Sequence, residues 1–436
     1  MPVRPFALAL CFAGGIGAAG CATTGGEGVP ADGLSDPAAV QPGGARTVAD
    51  DVATVQLYRE GDEASLPIVA MNTGEQLVLS FDRVGETVGQ PLSVFFYHLD
   101  RDGRRDLSPV EYLEGFQTGE IRDYRSSLGT RVEYVHYRYD FPNDDIGFRI
   151  SGNYVVRVTE LGREDAVLFE RSFYVAEERT EVDLVVGTGT LFGGGGSVLQ
   201  PIARLTPDPD LNGQLFDYSV CFARNGQIGA TRCADDASLV SQALYQYELP
   251  RRSTFPTEGP LYKADFGELR PGRDVDRVDF STDPFQVVLA RDYARFGSDV
   301  EPDLLTGQAI VRAAGTNTNR PSIEADYVDT FFRYVPDDER ELDGPVILSG
   351  SFNGWAVDPA YRMRWDEEER VYTATLLLKQ GTYGYRYAVS DPEELDLRER
   401  ERGVGRESLY TALVYFRDVA LGTDRLVGTR TIVGQE

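Results

Sequence analysis

Apolar and polar residues alternate along short segments in the first part of the chain, and Gly, Asn, Asp or Pro stand between the segments. A period of two is the spacing of half-buried β-strands. The last two segments predict a closing hairpin, and together the set predicts a β-sandwich of about 120 residues. The predicted strands are VATVQLYREG (52–61), LPIVAM (66–71), QLVLSFDRV (76–84), PLSVFFYHLD (91–100), VEYVHYRYDFP (132–142), SGNYVVRVTE (151–160) and VLFERSFYVAEE (167–178).

One segment between these strands, SPVEYLEGF, has a helical pattern instead. Ser108 is a suitable N-cap, Pro109 takes the first helical position, and Glu111 completes a capping box. Leu113 and Phe116 have the spacing of residues that face a core. We therefore expect one short helix within the first β domain.

The rest of the chain is also rich in strand patterns, and the clearest block lies near its end. VILSGSFNGWAVDP, VYTATLLLKQGTYGYRYAV and LYTALVYFRDVALGTDRLVG predict a second small sandwich, whereas the strand signals between 182 and 335 are weaker. The fold class predicted is all-β, a tandem of β-sandwich domains with one short helix in the first domain. The predicted folded domains span residues 50–178, 179–338 and 339–436.

The N-terminal segment predicts export. Arg4 precedes a short apolar run that ends in Ala18-Ala19-Gly20-Cys21, the arrangement of a bacterial lipobox. In this interpretation residues 1–21 are a lipoprotein signal peptide with Cys21 as the lipidated residue; the alternative is an ordinary signal peptide cut near Ala19. Residues 22–49 are rich in Gly, Ala, Thr and Pro and predict a flexible tether.

Charge excludes one class of function. The formal net charge is −27, which argues against a nucleic-acid-binding protein. Lys263 and Lys379 are the only lysines in the sequence. An acidic, lysine-poor chain suits either a saline habitat or an Arg-favouring genome, and neither indicates a function.

Two cysteines remain after the N-terminal segment, Cys221 and Cys233, and they flank a strong hairpin signal at Asn225-Gly226. They predict a disulfide in an oxidising compartment, with two buried thiols as the alternative. A strict two-residue turn at Asn225-Gly226 would not place them opposite each other. A zinc site is not indicated, because no His or further Cys lies nearby.

The residues do not assemble into a recognisable catalytic or cofactor constellation. His98 and His136, the only histidines, stand in aromatic strands where packing or a hydrogen bond is the expected role. The segment from Asp100 to Asp106 resembles a calcium loop but departs from the EF-hand pattern at Arg104 and lacks the closing Glu, which favours a solvated turn. We therefore expect a protein without enzymatic activity, metal or cofactor.

The terminal Gly-Ser-Phe-Asn-Gly-Trp block resembles glycogen-binding-type carbohydrate-binding modules, which are early Ig-like (E-set) sandwiches. The resemblance covers residues 346–389 and implies a sugar site in which Trp355 stacks on a sugar ring and Asn353 bonds a hydroxyl. The alternative is that Phe352 and Trp355 pack in the core while Asn353-Gly354 makes a turn.

A second resemblance covers several motifs in one order. These motifs are similar to the plug protein of the bacterial type IX secretion system, and the resemblance implies a periplasmic subunit that closes the mouth of the giant outer-membrane translocon barrel when no substrate is bound. Its partners would be that barrel and, through Cys21, the outer membrane. The rival hypothesis is a glucan-binding outer-membrane lipoprotein. The motifs are 55–82, SPVEYLEGF at 108–116, 121–145, SGNYVVRV at 151–158, SGSFNGW, LLLKQGTYGYRY and LYTALVYFRD.

Overall fold

The computed structural model shows an all-β chain whose short strands form three sandwiches. Residues from Val40 onward belong to one compact unit. The structure describes residues 46–190, 197–211, 213–228, 230–241, 244–250, 253–256, 260–294, 301–313, 320–389 and 407–435. The lipobox with Cys21, residues 22–45 of the predicted tether and the four consecutive glycines at 193–196 lie outside these ranges. The helices in the described ranges are each too short or too polar to span a membrane.

The first sandwich packs a six-stranded sheet, β1-β12-β11-β5-β7 with β3 beside β12, against a four-stranded sheet, β2-β4-β9-β8. The apolar residues of each alternating strand meet between the sheets, where Phe81, Phe96 and Tyr154 are buried. Its elements are β1 (Arg46–Thr47), β2 (Val52–Arg59), β3 (Ile68–Ala70), β4 (Leu77–Val84), β5 (Leu92–Leu99), α1 (Pro109–Tyr112), β6 (Leu113–Gly115), β7 (Thr118–Ile121), β8 (Asp123–Ser126), β9 (Tyr134–Phe141), β10 (Ile146–Phe148), β11 (Gly152–Glu160) and β12 (Val167–Ala176).

The second sandwich combines two distant parts of the chain. One sheet has the order β13-β14-β18-β17, with β19 beside β14, and the other has the order β16-β15-β30-β31. Its core includes Tyr218, Phe222 and Tyr410. The strands are β13 (Glu181–Thr190), β14 (Ser197–Thr206), β15 (Tyr218–Arg224), β16 (Arg232–Ala234), β17 (Ala237–Ser241), β18 (Leu244–Glu248), β19 (Phe255–Pro256), β30 (Glu407–Asp418) and β31 (Thr423–Gln435).

The third sandwich lies in sequence between the two parts of the second. One sheet is β20-β29-β24 with β26 beside β29, and the other is β21-β22-β25-β28-β27 with β23 beside β25. Aromatic side chains such as Phe332 and Tyr385 fill its core. The elements are β20 (Tyr262–Asp265), β21 (Val275–Asp279), β22 (Gln286–Leu289), β23 (Asp292–Tyr293), α2 (Pro302–Leu305), β24 (Ile310–Val311), α3 (Pro321–Glu324), β25 (Tyr327–Val335), β26 (Val346–Gly350), β27 (Arg364–Asp366), β28 (Val371–Lys379) and β29 (Gly381–Val389).

Strand pairing crosses the boundary that the sequence suggested between residues 338 and 339. Strand β25 pairs with β28, so residues on both sides of that point share one sheet. Strand β30 pairs with β15, about 190 residues earlier in the chain. The acidic segment VPDDERELDGP at 335–345 indicates a loop at this boundary. Which strands share a core is decided by non-local pairing, which such a local signal does not report.

The short helix of the first sandwich occurs where expected, and the Ser108 amide donates to Glu111 at 2.8 Å. The helix ends at Tyr112, however, because the next residues form β6, which pairs with β10. Leu113 is buried, whereas Phe116 is 65 % exposed, so the prediction that Phe116 faces the core was wrong.

Candidate functional site at the junctions between sandwiches

A buried polar cluster joins the first sandwich to the third. Lys379 donates from Nζ to Asp82 Oδ2 at 2.6 Å, and the Tyr327 hydroxyl donates to the same oxygen at 2.7 Å. His136 Nδ1 lies 2.7 Å from the other Asp82 oxygen, and Thr54 Oγ1 lies 2.6 Å from the Tyr327 hydroxyl. We call these five residues the Asp82 cluster. Three of them belong to the first sandwich and two, Tyr327 and Lys379, to the third.

The backbone of Thr54 is strained within this cluster. Its φ is 49°, in the left-handed region that a β-branched residue rarely adopts. The register of β2 against β4 shifts between Ala53 and Gln56, so Thr54 lies at a bulge. The bulge turns its hydroxyl toward Tyr327. Strain of this kind persists only where the surroundings hold it, and the contact with Tyr327 is part of that support.

Asp82 is ionised in this environment although it is buried. Burial alone would raise the pKa of its carboxyl, but Lys379 and His136 outweigh that effect and hold the pKa below its ordinary value. A carboxylate that receives several donors is a weak base, since its charge is already stabilised. The cluster is therefore suited to holding two sandwiches together rather than to proton transfer.

Backbone contacts extend the same junction. The Asp326 carboxylate accepts from the amides of Arg131 at 2.8 Å and Val132 at 3.1 Å. Gln56 Nε2 donates to the Ala309 carbonyl at 2.8 Å. Each of these bonds spans about 190 residues or more, so the first and third sandwiches are connected at several points.

A polar cleft of about 460 Å³ opens beside the cluster. Its floor is the outer face of the sheet β2-β4-β9-β8, where alternation places polar side chains such as Gln56, Ser80 and Arg138 in one cross-strand row. The guanidinium groups on this floor already have carboxylate partners; Arg138, for example, binds Asp140 at 2.9 Å.

The junction of the first and second sandwiches contains an apolar cluster beside polar contacts, such as the hydrogen bond that the Tyr415 hydroxyl donates to Asn153 Oδ1 at 2.7 Å. Its cluster centres on Cys221 and includes Leu66, Tyr174, Ile228 and Tyr415. The Tyr174 hydroxyl donates to the Ile228 carbonyl at 2.8 Å, which satisfies its polar atom within the apolar contact.

The structure joins Cys221 to Cys233 across the β15–β16 pair, where the two residues are direct partners with a Cα–Cα distance of 3.9 Å. The geometric objection from a two-residue turn does not apply, because the chain takes a longer path. Asn225 and Gly226 have positive φ, as the hairpin signal suggests, but β16 begins only at Arg232.

Gly226 and Trp355 lie where the second sandwich meets the third. A Cβ on Gly226 would be 1.7 Å from the Thr306 carbonyl oxygen, so only Gly fits this approach. Trp355 is 8 % exposed, and its Nε1 donates to the Gly307 carbonyl at 3.2 Å. The ring is part of a junction rather than an exposed platform.

Asn353, the second residue of the sugar-binding hypothesis, is occupied within its own turn. Its Oδ1 accepts from the Gly350 amide at 2.9 Å, and its Nδ2 donates to the carbonyls of Leu348 at 3.3 Å and Ala356 at 3.2 Å. The amide therefore stabilises the turn that presents Trp355.

The segment from Asp100 to Asp106 forms a turn tied to the rest of the protein. Asp100 accepts from the Arg104 amide at 2.8 Å, and Asp106 lies 2.8 Å from His98 Nδ1. Among the residues placed by the structure, no three His, Cys, Asp or Glu side chains group in a way that could hold a metal ion.

Sequence reasoning missed the Asp82 cluster. Asp82 and Lys379 are 297 positions apart, and no local pattern connects them. One signal was present: a chain with two lysines among 43 cationic residues retains Lys379 inside an apolar strand pattern. A lysine in such a strand needs a buried partner.

Comparison with known proteins identifies the first sandwich. The family model described as "Type 9 secretion system plug protein 1st domain" matches residues 52–177. No curated protein sequence matches the chain.

Among solved structures, a hypothetical protein from Parabacteroides merdae ATCC 43184 is similar over 90 % of this chain and 100 % of its own, with 25 % identity and a TM-score of 0.77. The alignment with the partial N-terminal region of an enterococcal surface protein covers 92 % of this chain and 97 % of that one, with 7 % identity and a TM-score of 0.19. Residues 52–177, the first sandwich, therefore match the first domain of the type 9 secretion system plug family.

Proposed function

We propose that this protein is a non-enzymatic plug subunit of the type IX secretion translocon, and that it occludes the periplasmic mouth of the outer-membrane barrel when no substrate is bound. The family match of residues 52–177 is the observation that carries the proposal. A wide aqueous pore leaks unless a body obstructs it, and obstruction needs no catalytic step.

The junctions described above support a plug that keeps its shape. The first and third sandwiches share the buried Asp82–Lys379 pair, and the first and second share the apolar contact around Cys221. A stiff body of this kind can be held in a pore by a polar interface of modest affinity and released when a substrate competes for the same space.

A lipid on Cys21 would confine the protein to the periplasmic face of the outer membrane. Confinement to a surface raises the effective concentration of the plug near the pore without any additional contact. The proposed partners are therefore the translocon barrel and, through the lipid, the outer membrane.

The first experiment is co-purification of the tagged full-length chain with the large barrel in mild detergent. The second is deletion of the gene, which should raise outer-membrane permeability to an antibiotic too large to cross an intact membrane. The wild-type gene should restore the barrier, and a Cys21→Ser gene should restore it less well. Unchanged permeability after deletion, together with a barrel that never co-purifies, would refute the proposal.

The rival hypothesis of a glucan-binding lipoprotein has less support, because Trp355 is 8 % exposed and the Asn353 amide is occupied. A glucan pull-down distinguishes the two hypotheses. The plug proposal expects no retention by immobilised glucan, whereas retention that Trp355→Ala abolishes and Trp365→Ala preserves would favour the rival.

A further inference from the structure

A second cleft lies where all three sandwiches meet. Its volume is about 300 Å³, at the lower end of the range for small-molecule sites. Leu57 and Arg171 line it from the first sandwich, Ile228 from the second, and Phe352 and Trp355 from the third. We call it the Arg171 cleft. The cleft has both apolar and polar walls; Phe352 and Trp355 provide aromatic surface, and Arg171 provides a positive charge.

Arg171 bonds only to uncharged groups in the structure. Its Nη1 donates to the Arg46 carbonyl at 3.3 Å and to the Glu170 carbonyl at 2.8 Å, and its Nη2 donates to Thr47 Oγ1 at 3.2 Å. Within the described ranges, Arg171 forms no ion pair and its Nε has no acceptor.

Two fully buried cations of this protein have carboxylate partners. Arg157 lies 2.6 Å from Glu170, and Lys379 lies 2.6 Å from Asp82. Arg171 is only partly withdrawn from solvent, and a charge withdrawn from water gains from an anionic partner. Burial lowers the pKa of Arg171 to about 10, so the guanidinium is still charged at neutral pH. In the described structure the Arg171 guanidinium therefore has hydrogen bonds and a contact with the Phe169 ring, but no carboxylate partner.

Two further polar atoms in the walls also lack partners in the described structure. They are Gln227 Nε2 and Ser351 Oγ, and both are inaccessible to solvent. Buried polar atoms are ordinarily hydrogen-bonded, and leaving one unpaired costs about 1–3 kcal/mol. A rotation of either side chain toward the cleft would let a bound polar group satisfy it.

We propose that the Arg171 cleft binds a small organic carboxylate whose remaining part is apolar, with the carboxylate on the Arg171 guanidinium and the apolar part against Phe352 and Trp355. Guanidinium groups match carboxylates in shape and charge, and aromatic walls favour an apolar body. A free organic acid and the C-terminus of a peptide both present this chemistry.

Binding can be measured by the fluorescence of Trp355. The chain has two tryptophans, and substitution of Trp365 leaves Trp355 as the only one. In the full-length protein carrying Trp365→Phe, we expect 3-phenylpropionate or the peptide Gly-Gly-Phe to change Trp355 fluorescence saturably. These two probes distinguish the free acid from the peptide terminus. The matched amide 3-phenylpropionamide should bind at least tenfold more weakly, because it lacks the charge.

Variants at Arg171 test the assigned contact. Arg171→Met should weaken binding of the acid at least tenfold, and Arg171→Lys should retain more of it than Arg171→Met does. Arg163→Met, which removes an exposed guanidinium paired with Glu160, should leave binding unchanged. Equal binding of acid and amide by the parent protein would overturn the proposal, and so would an unchanged affinity in Arg171→Met. The absence of binding by both fluorescence and ligand-observed NMR would overturn it as well.

Discussion

Lys379 Nζ lies 2.6 Å from Asp82 Oδ2, and each of these side chains is only 1 % exposed. The pair spans two sandwiches, so it couples the positions of two bodies that the sequence places far apart. Removing one member of a buried pair leaves the other charge unpaired, and this usually destabilises more than losing the pair as a whole.

Lys379→Met should therefore lower the free energy of unfolding by about 3–5 kcal/mol. Chemical denaturation followed by tryptophan fluorescence measures the loss. Lys263→Met is the matched control, because Lys263 pairs with Glu301, which is 58 % exposed. A pair of that kind contributes at most about 1 kcal/mol.

The double variant Asp82→Asn with Lys379→Met removes both charges, and we expect it to be more stable than Lys379→Met alone. If Lys379→Met and Lys263→Met had the same small effect, the coupling of the two sandwiches through this pair would be refuted.

Gly226 is a second position where we expect substitution to destabilise the protein. Gly226→Ala should destabilise the protein, because the new Cβ would be 1.7 Å from the Thr306 carbonyl oxygen and the φ of 65° disfavours an L side chain. Thermal unfolding measures the change in stability.

Gly162→Ala separates these two causes. Gly162 has a similar φ of 70°, but a Cβ there would meet no atom within 4 Å. The difference between the two variants is the cost of pushing the second sandwich away from the third. Equal melting temperatures would contradict the close approach.

We expect the Asp292 carboxyl to make the stability of the protein depend on pH. Burial raises the pKa of its carboxyl from 3.8 to about 6, although hydrogen bonds from Tyr387 and Tyr385 oppose the change. Between those two pH values the unfolded chain gives up its proton before the folded chain does. The free energy of unfolding should therefore fall as the pH rises through this window. Above the window, Asp292 should cause no further change in stability with pH.

Asp292→Asn should remove that part of the pH profile. The side-chain oxygen of the substituted residue can still accept hydrogen bonds from the hydroxyls of Tyr385 and Tyr387. Tyr387→Phe removes one of the bonds that lower the pKa, so the window should extend to higher pH. A profile between pH 4 and 6 that is identical in wild type and Asp292→Asn would rule out this assignment.

The Cys221–Cys233 bond should appear as a linked pair of peptides in a digest made without reductant. Replacing both cysteines by Ala should lower the stability by about 3 kcal/mol, the estimate for a closed loop of roughly this length. Reductant should destabilise the wild type and leave the double variant unaffected. Two free thiols in the protein purified without reductant would contradict the bond.

The features that the sequence predicted correctly are those that depend on residues close together in the chain. The strands β4, β5 and β9 followed from alternation, because each has one face in the core of its own sandwich. The capping box at Ser108 is a local pattern and was predicted as well.

Non-local features were not predictable in the same way. The pairing of β30 with β15 and the contact of Lys379 with Asp82 depend on surfaces that meet only after folding. The prediction that Phe116 faces the core was wrong for a related reason. Its spacing from Leu113 suits a helix, but the helix ends before Phe116 because the next residues form β6, which pairs with β10.

The insertion of the third sandwich within the second has a consequence for biogenesis. Strand β15 is synthesised nearly 190 residues before β30, its neighbour in the sheet. The third sandwich has all its strands by residue 389 and can form its core while the second is still missing two strands. The edge of β15 therefore stays open until β30 is synthesised, and exposed edges promote aggregation. We expect the emerging chain to depend on chaperones until residues 407–435 close that edge.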